Sequence, residues 1–321
     1  MFGTTYQGGG AGNAGTVFRL TPAATPGGVW RETILHAFKG PDGANPAGNL
    51  IVDARGALYG TTETGGDNPS AFKTPIAWRL SPPAGGPDAP GNWTFEVLHR
   101  FNQKEGWRLV SGLTPGRGGS LFGVASSGGR ADLGTVYRLD PPARAGGPWA
   151  ERTLHEFDGA NGNDPEAELT VDDAGRLFGT TQYGGSRNLG TVFAVTPPAA
   201  PGASWTEQVL LNFTGANGAE SRGSLLLLKP DAYGRRSLVG NTTTAGTGKP
   251  EPAGNVFRLD SPATAGGAWK QVVLHSFTGG AGVAGGGYLL GGVIMDAAGA
   301  LYGTAYDGDR YNDGTVWRLT P

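Results

Sequence analysis

One short motif, an aromatic or apolar residue followed by Gly and usually by Thr-Thr, recurs six times along the 321-residue chain. It stands at Phe2-Gly3, Tyr59-Gly60, Phe122-Gly123, Phe178-Gly179, Val239-Gly240 and Tyr302-Gly303, at intervals of 57, 63, 56, 61 and 63 residues. A period of this size means one supersecondary unit copied along the chain, each copy burying its apolar face against its neighbours. A Gly-rich loop and a second apolar run follow each anchor, as in Thr16-Val17-Phe18-Arg19-Leu20 and Thr135-Val136-Tyr137-Arg138-Leu139. A Pro-rich turn then leads to a run of the form Trp…Leu-His-x-Phe, seen at Trp30 to Phe38 and at Trp93 to Phe101. The last run reads Leu50-Ile51-Val52-Asp53 or Leu169-Thr170-Val171-Asp172, and a tight turn (Ala54-Arg55-Gly56, Asp173-Ala174-Gly175) returns to the anchor.

These runs are short, rich in β-branched and aromatic residues, and bounded by Gly, Pro or Asp, so each reads as a strand. No window carries a 3.6-residue apolar period, which leaves little room for helix. Four antiparallel strands repeated six times predict an all-β fold, a six-bladed β-propeller, as a single domain over residues 1–321. The best-fitting order runs from an inner Leu-x-Val-Asp strand through the Tyr-Gly-Thr-Thr and Thr-Val-Phe-Arg-Leu strands to an outermost Trp…His-x-Phe strand. On that order the first blade lacks its inner strand and the last its outer one, so the chain supplies 22 strands where six full blades need 24.

Composition matters at four points. The 59 Gly and 23 Pro approach levels seen in disordered chains, but 8 Trp, 13 Phe and 9 Tyr at fixed places in the repeat can bury a core. A net charge of −2 without a run of Lys or Arg gives no footprint for nucleic acid or an anionic membrane. No apolar stretch is long enough for a membrane-spanning helix, so direct membrane insertion is not expected. The absence of Cys excludes disulfides, thiolate catalysis and Cys-based zinc sites. Because Met1-Phe2-Gly3 already lies inside a repeat, we expect a segment upstream or a start within a longer ancestral reading frame.

The string Tyr-Gly-Thr-Thr-x-x-Gly-Gly…Gly-Thr-Val-Phe-Arg-Leu…Leu-His-x-Phe…Asp-Gly-x-Asn-Pro…Asp-x-x-Gly-x-Leu-Tyr-Gly-Thr-Thr resembles the bacterial Gloeo_Verruco tandem repeat. Residues 36–66 and 155–193 carry it most fully. The fifth unit departs from it, with Val239-Gly240-Asn241 and with Leu211 in place of the His. The resemblance implies an exported bacterial protein, extracellular or at the cell surface, and attaches no activity to the repeat.

His36, His99, His155 and His275 share one slot of the outer strand, and Leu211 fills it in the remaining copy. Leucine replaces a packing residue but not a base or a ligand, so these histidines read as packing residues with a hydrogen-bonded ring nitrogen. Strict alternation would place them on the face that carries Trp30, Trp93, Trp149 and Trp269. Without them a Ser-His-Asp site has no base. The Thr-Thr pairs (Thr4-Thr5, Thr61-Thr62, Thr180-Thr181) read as strand formers whose hydroxyls cap the Gly-rich turn. Asp53, Asp172 and Asp296 begin tight turns, where a carboxylate accepts backbone amides.

The residues that break the period are the candidates for function. In a four-strand meander the loops entering the inner strand share one end with the Gly-rich loops, and that end is variable, acidic and Asn-rich. A ligand face is expected there, built on Asp42, Asn45, Asp158, Asn161, Asn163 and Glu166, with Glu63, Asp67, Glu220, Asp307, Asp309 and Asp313 nearby. Asn49, Ser111, Glu168, Ser224 and Gly292 are expected at the channel mouth. Oxygen donors of this kind suit Ca2+, with Asn49, Asp164 and Glu168 as ligands. The sialidase Ser-x-Asp-x-Gly-x-Thr-Trp box and WD signatures are absent. Two functions result. The favoured one is a non-catalytic binding or scaffold module for a glycan, a peptide or a small molecule. The alternative, by analogy of position with six-bladed lactonases and phosphotriesterases, is a Ca2+-dependent hydrolase in which Glu168 or Asp164 activates water.

Overall fold

The computed structural model describes the chain except at 11, 66–73, 90, 145, 201, 245–252, 265, 278–286, 309–310, 312 and 321. Residues 1–156 form one compact unit and 157–321 a second. The first unit holds three sheets. Its first sheet has β1 (Phe2–Thr5), β2 (Thr16–Thr21) and β3 (Arg31–Ala37) in that order. The next has β4 (Ala44–Val52), β5 (Leu58–Thr64), β6 (Ile76–Ser81) and β7 (Thr94–Arg100). The third has β8 (Thr114–Pro115), β9 (Leu121–Ala125), β10 (Thr135–Asp140) and β11 (Ala150–Glu156).

The second unit holds three more. Its sheets are β12 (Thr170–Val171), β13 (Leu177–Thr181), β14 (Thr191–Thr196) and β15 (Thr206–Asn212); then β16 (Leu226–Leu227), β17 (Ser237–Asn241), β18 (Asn255–Asp260) and β19 (Lys270–Ser276). The sixth has β20 (Ile294–Met295), β21 (Leu301–Ala305) and β22 (Thr315–Leu319). Each sheet is a meander of antiparallel neighbours. The fold is therefore the six-bladed all-β propeller, with 22 strands among the described residues and three-stranded first and last blades.

The anchor Gly has a steric cause. A Cβ on Gly60 would lie 2.5 Å from the Trp78 ring, and one on Gly179 would lie 2.5 Å from Phe193 Cζ. Phe18 stands over Gly3, Tyr137 over Gly123, Phe257 over Gly240 and Trp317 over Gly303 in the same way. The far end of the aromatic ring on each blade's Thr-Val-Phe-type strand thus reaches over the backbone of the neighbouring strand, a position only Gly leaves open.

Apolar clusters lie between consecutive sheets rather than within one. Val17 and Phe38 of the first blade pack with Leu58, Ile76, Trp78 and Leu80 of the second. Phe178, Val192 and Phe213 of the fourth pack with Leu238, Phe257 and Leu259 of the fifth. Rings such as Phe101, Phe157, Phe193 and Phe213 are fully buried, and burying a side chain of this size stabilises by roughly 1.5–3 kcal/mol.

The faces of the outer strand differ from the alternation expected from sequence. The register shifts at one point in all five paired outer strands, between Val17/Phe18, Ala77/Trp78, Val136/Tyr137, Val192/Phe193 and Val256/Phe257. Val17 pairs with His36 and Phe18 with Ile34, so Leu35 is an extra, bulged residue. A bulge reverses the facing of everything beyond it. Consequently Trp93 meets Phe2 of the preceding blade, 5.8 Å between ring centroids. His36 and Phe38 instead face the following blade, His36 stacking on Phe95 at 4.0 Å and Phe38 meeting Trp78 at 5.8 Å. The histidines and the Trp residues therefore lie on opposite faces.

The polar repeat residues behave as scaffold. Oδ1 of Asp53, Asp172, Asp231 and Asp296 accepts the amides two and four residues on, at 2.8–3.0 Å. The other oxygen of the same carboxylate takes Tyr59 Oη, Arg176 Nε, Arg235 Nε or Tyr302 Oη. The second Thr of each pair caps the Gly-rich turn: Thr62 Oγ1 donates to the Thr64 carbonyl and Thr181 Oγ1 to that of Tyr183. The first Thr reaches the next blade, Thr61 Oγ1 donating to the Ser111 carbonyl at 2.7 Å.

Candidate binding face

The loop entering each blade passes through one backbone position with an unusual conformation. Ile51, Thr114, Thr170, Leu226 and Ile294 are level with the anchors Tyr59, Phe122, Phe178, Val239 and Tyr302. Six residues before each lies a non-glycine residue with positive φ: Asn45 (58°), Arg108 (73°), Asp164 (58°), Glu220 (56°) and Tyr288 (47°). This region is tolerable for Asn and Asp but costs about 1–2 kcal/mol for other L-residues.

What holds the strained backbone is hydrogen bonding to its neighbours, on the carbonyl in four copies and on the amide in two. The carbonyls of Arg108, Asp164, Glu220 and Tyr288 accept the amides of Ser126, Gln182, Thr243 and Tyr306 at 3.1–3.2 Å. The Asn45 amide donates to the Ala14 carbonyl and the Glu220 amide to that of Leu189, both in the loop of the preceding blade. The backbone of the slot is therefore tied on both sides at Glu220 and on at least one side in the other copies, while its side chain changes in every copy: amide, guanidinium, carboxylate, longer carboxylate, phenol. The slot four residues after each anchor, whose amide makes the first of these bonds in four copies, is equally diverse: Tyr6, Glu63, Ser126, Gln182, Thr243 and Tyr306.

In the first unit the two slots meet across three blades. Tyr6 Oη donates to Glu63 Oε2 at 2.8 Å, and Arg108 Nε lies 3.5 Å from Glu63 Oε1. Asn45 Nδ2 donates to the Tyr6 carbonyl at 3.1 Å, and Thr64 Oγ1 donates to Asn45 Oδ1 at 2.8 Å. Beside them Trp107 Nε1 donates to Asp132 Oδ1 at 2.7 Å. The hydrogen bond to Glu63 raises the Tyr6 phenol above its ordinary value, with burial and the Glu63 charge acting the same way and Arg108 opposing. Tyr6 is thus a neutral, half-exposed ring (50%) flanked by an acceptor and a cation. A ring face with fixed donors and an acceptor at its edge suits a polyhydroxylated ligand.

Several residues expected on this face are occupied in holding loops. Asp42 Oδ2 bonds His36 Nε2 at 2.9 Å and Oδ1 accepts the Lys39 amide at 2.7 Å. Burial alone would raise the Asp42 carboxyl, but the hydrogen bonds from His36 and Lys39 hold it below the usual range. His99 and Glu105 form the same link at 3.0 Å. Asp158 and Asn161 close on each other, each side-chain oxygen accepting the other's amide at 3.0 Å. Asn163 pairs its backbone with Tyr183. Glu166, with a largely buried side chain, lies 3.3 Å from Arg222 Nη1.

Asn49 lies in the first unit; Asp164 and Glu168 lie in the second. The register sets Gly112, not Ser111, level with Asn49 and Glu168. Among the described residues no three His, Asp or Glu side chains come together within reach of one metal ion. Asp67 and Asp309 lie outside the described residues. Sequence reasoning missed Tyr6 and Arg108. The signal available for Arg108 was its place in the same slot as Asn45 and Asp164, visible once the copies are set in register.

A family model, the Gloeobacter/Verrucomicrobia repeat, matches residues 87–317, well over half of the chain. The chain belongs to that repeat family. Comparison with curated protein sequences gives no match. Among solved structures, a Dyadobacter fermentans protein of unknown function aligns at 12% identity and a TM-score of 0.50, over 94% of this chain and 82% of that one. The PQQ-bound aldose sugar dehydrogenase of Streptomyces coelicolor aligns at 18% identity and 0.49, over 95% and 87%. A putative glucose dehydrogenase from Thermus thermophilus aligns at 17% and 0.48, over 95% and 90%. At these identities the likeness is one of fold.

Proposed function

We propose that this repeat protein is a non-catalytic binding module of an exported bacterial protein, and that its loop face recognises a glycan. The observation that supports this most is the pair of variable slots. What repeats in every blade has a packing or turn-closing role, whereas two tethered positions per blade change chemistry from copy to copy. A strained backbone that presents a different side chain in each blade has little value to stability and much to recognition. Tyr6, Glu63 and Arg108 offer the stacking face, acceptor and donor that a sugar ring and its hydroxyls require. A glycan array followed by titration calorimetry tests the reading. Tyr6→Ala and Arg108→Ala are expected to weaken the best ligand about tenfold each with an unchanged melting temperature, a loss of about 1.4 kcal/mol. Binding unchanged in both variants would discard this face.

The second reading, a Ca2+-assisted ester, lactone or phosphotriester hydrolase, draws support from the donor chemistry of Asn49, Asp164 and Glu168, with Asp164 fixed by its backbone bond to Gln182. An ion bound only by the native state raises its stability. A melting temperature lowered by EDTA and restored by Ca2+ would favour this reading, and superimposable melts would remove it.

A further inference from the structure

The loop face of the first unit is balanced in charge, and at its centre a cation already faces a carboxylate. Segments 6–10, 12–15, 38–49, 62–65, 101–113 and 126–134 hold four Lys or Arg and four Asp or Glu, a net charge of zero. Glu63 takes the Tyr6 hydroxyl on one oxygen and lies 3.5 Å from Arg108 Nε on the other. Its side chain is only 21% exposed, against 37% for Arg108. Asp132 Oδ1 accepts both the Trp107 indole N–H and the Gly128 amide. The one O–H of Tyr6 and the one indole N–H of Trp107 are thus already given to carboxylates. Arg130, far more exposed, lies 3.3 Å from Glu156.

This arrangement treats charged and uncharged sugars differently. An anionic sugar would have to draw Arg108 away from Glu63 and set a second negative charge beside a mostly buried carboxylate. Like-charge repulsion and lost solvation both oppose that. A neutral sugar leaves the pair intact. Its hydroxyls donate to the oxygens of Glu63 and Asp132 and accept from the Arg108 guanidinium, while its ring lies on Tyr6. We infer, resting on the glycan reading above, that Glu63 is a specificity-determining residue of this face. It reserves Arg108 for neutral, polyhydroxylated sugars and excludes uronic, sialic and sulfated ones.

The test titrates the intact chain with matched oligosaccharides: cello-, manno- and galacto-hexaoses, and the hexauronates that differ from them only by a carboxylate in place of each CH2OH. At least one neutral hexaose is expected to bind about tenfold or more tighter than its uronate. Its Kd should stay within about twofold between about 50 and 500 mM NaCl, because a face of zero net charge exerts no attraction for salt to screen. Glu63→Gln keeps an acceptor for Tyr6 Oη and leaves the Arg108 charge unmatched. It should shrink the neutral-to-uronate ratio about tenfold or more, chiefly by a salt-sensitive gain of uronate binding, which damage to the fold could not produce. A parent that prefers the uronates, or a ratio unchanged in Glu63→Gln, would overturn this inference and leave the glycan reading standing. Binding of neither set would remove both. The parent's own preference decides the matter even if the variant is unstable.

Discussion

At the scale of single residues, the six anchor glycines show how a side chain that is not there can fix a fold. Gly179 is needed because the Phe193 ring occupies the space a methyl would take. Gly202 is a glycine of another kind, with φ of 84° and nothing within 4 Å of where a methyl carbon would stand. Gly179→Ala should therefore cost roughly 1–3 kcal/mol through overpacking. Gly202→Ala should cost only the left-handed backbone penalty of about 1 kcal/mol. Urea unfolding of both variants checks the order, and equal losses would mean that the ring moves aside freely. The histidines make the companion point. The ring nitrogens of His36 and His99 bond Asp42 and Glu105, and the His36 ring also stacks on Phe95 of the next blade, whereas His275 is exposed, so the period marked the first two as scaffold.

At the scale of elements, one slot of the outer strand places two acids unfavourably. In the second blade the residue two after the outer-strand Trp faces the preceding blade, where Phe95 stacks on His36. The same slot holds Glu151 and Glu207, and burial pushes each up to about 7, helped by Glu105 near the first and Asp158 near the second. Both folded values exceed the ordinary 4.5, so the native state holds protons that the unfolded chain releases. Their contribution is fully present below about pH 4.5 and is lost as pH rises through 7. Both groups are partly solvated, which reduces the effect. Glu151→Gln and Glu207→Gln should thus raise the melting temperature at pH 8 and change it little at pH 5. A gain of the same size at both pH values would remove titration as the cause. Sequence pattern predicted these strands and their order because β-branched runs, turn residues and the repeat all pointed the same way. It did not predict the bulge at Leu35 and its equivalents, since a bulged Leu in an apolar strand looks like any other. With the bulge hidden, the facing of His36 and its equivalents came out reversed.

At the scale of the whole chain, the loop face was legible only in outline. Composition singled out its acids, but Asp42, Asp158, Asn161 and Glu166 are held by His36, Lys39, each other and Arg222. The side chains left to meet a ligand are set by backbone strain that residue type does not announce in Arg108, Glu220 or Tyr288. Their common slot emerges only when distant copies are laid in register, a long-range property that no local window contains. The bulge has a consequence at this scale as well. By turning His-x-Phe towards the next blade and leaving Trp towards the previous one, it gives every repeat a head and a tail that fit each other but not themselves. Growth or loss by whole copies keeps that polarity at every junction, so a lineage of such chains can change its length by duplication while its loops diversify independently.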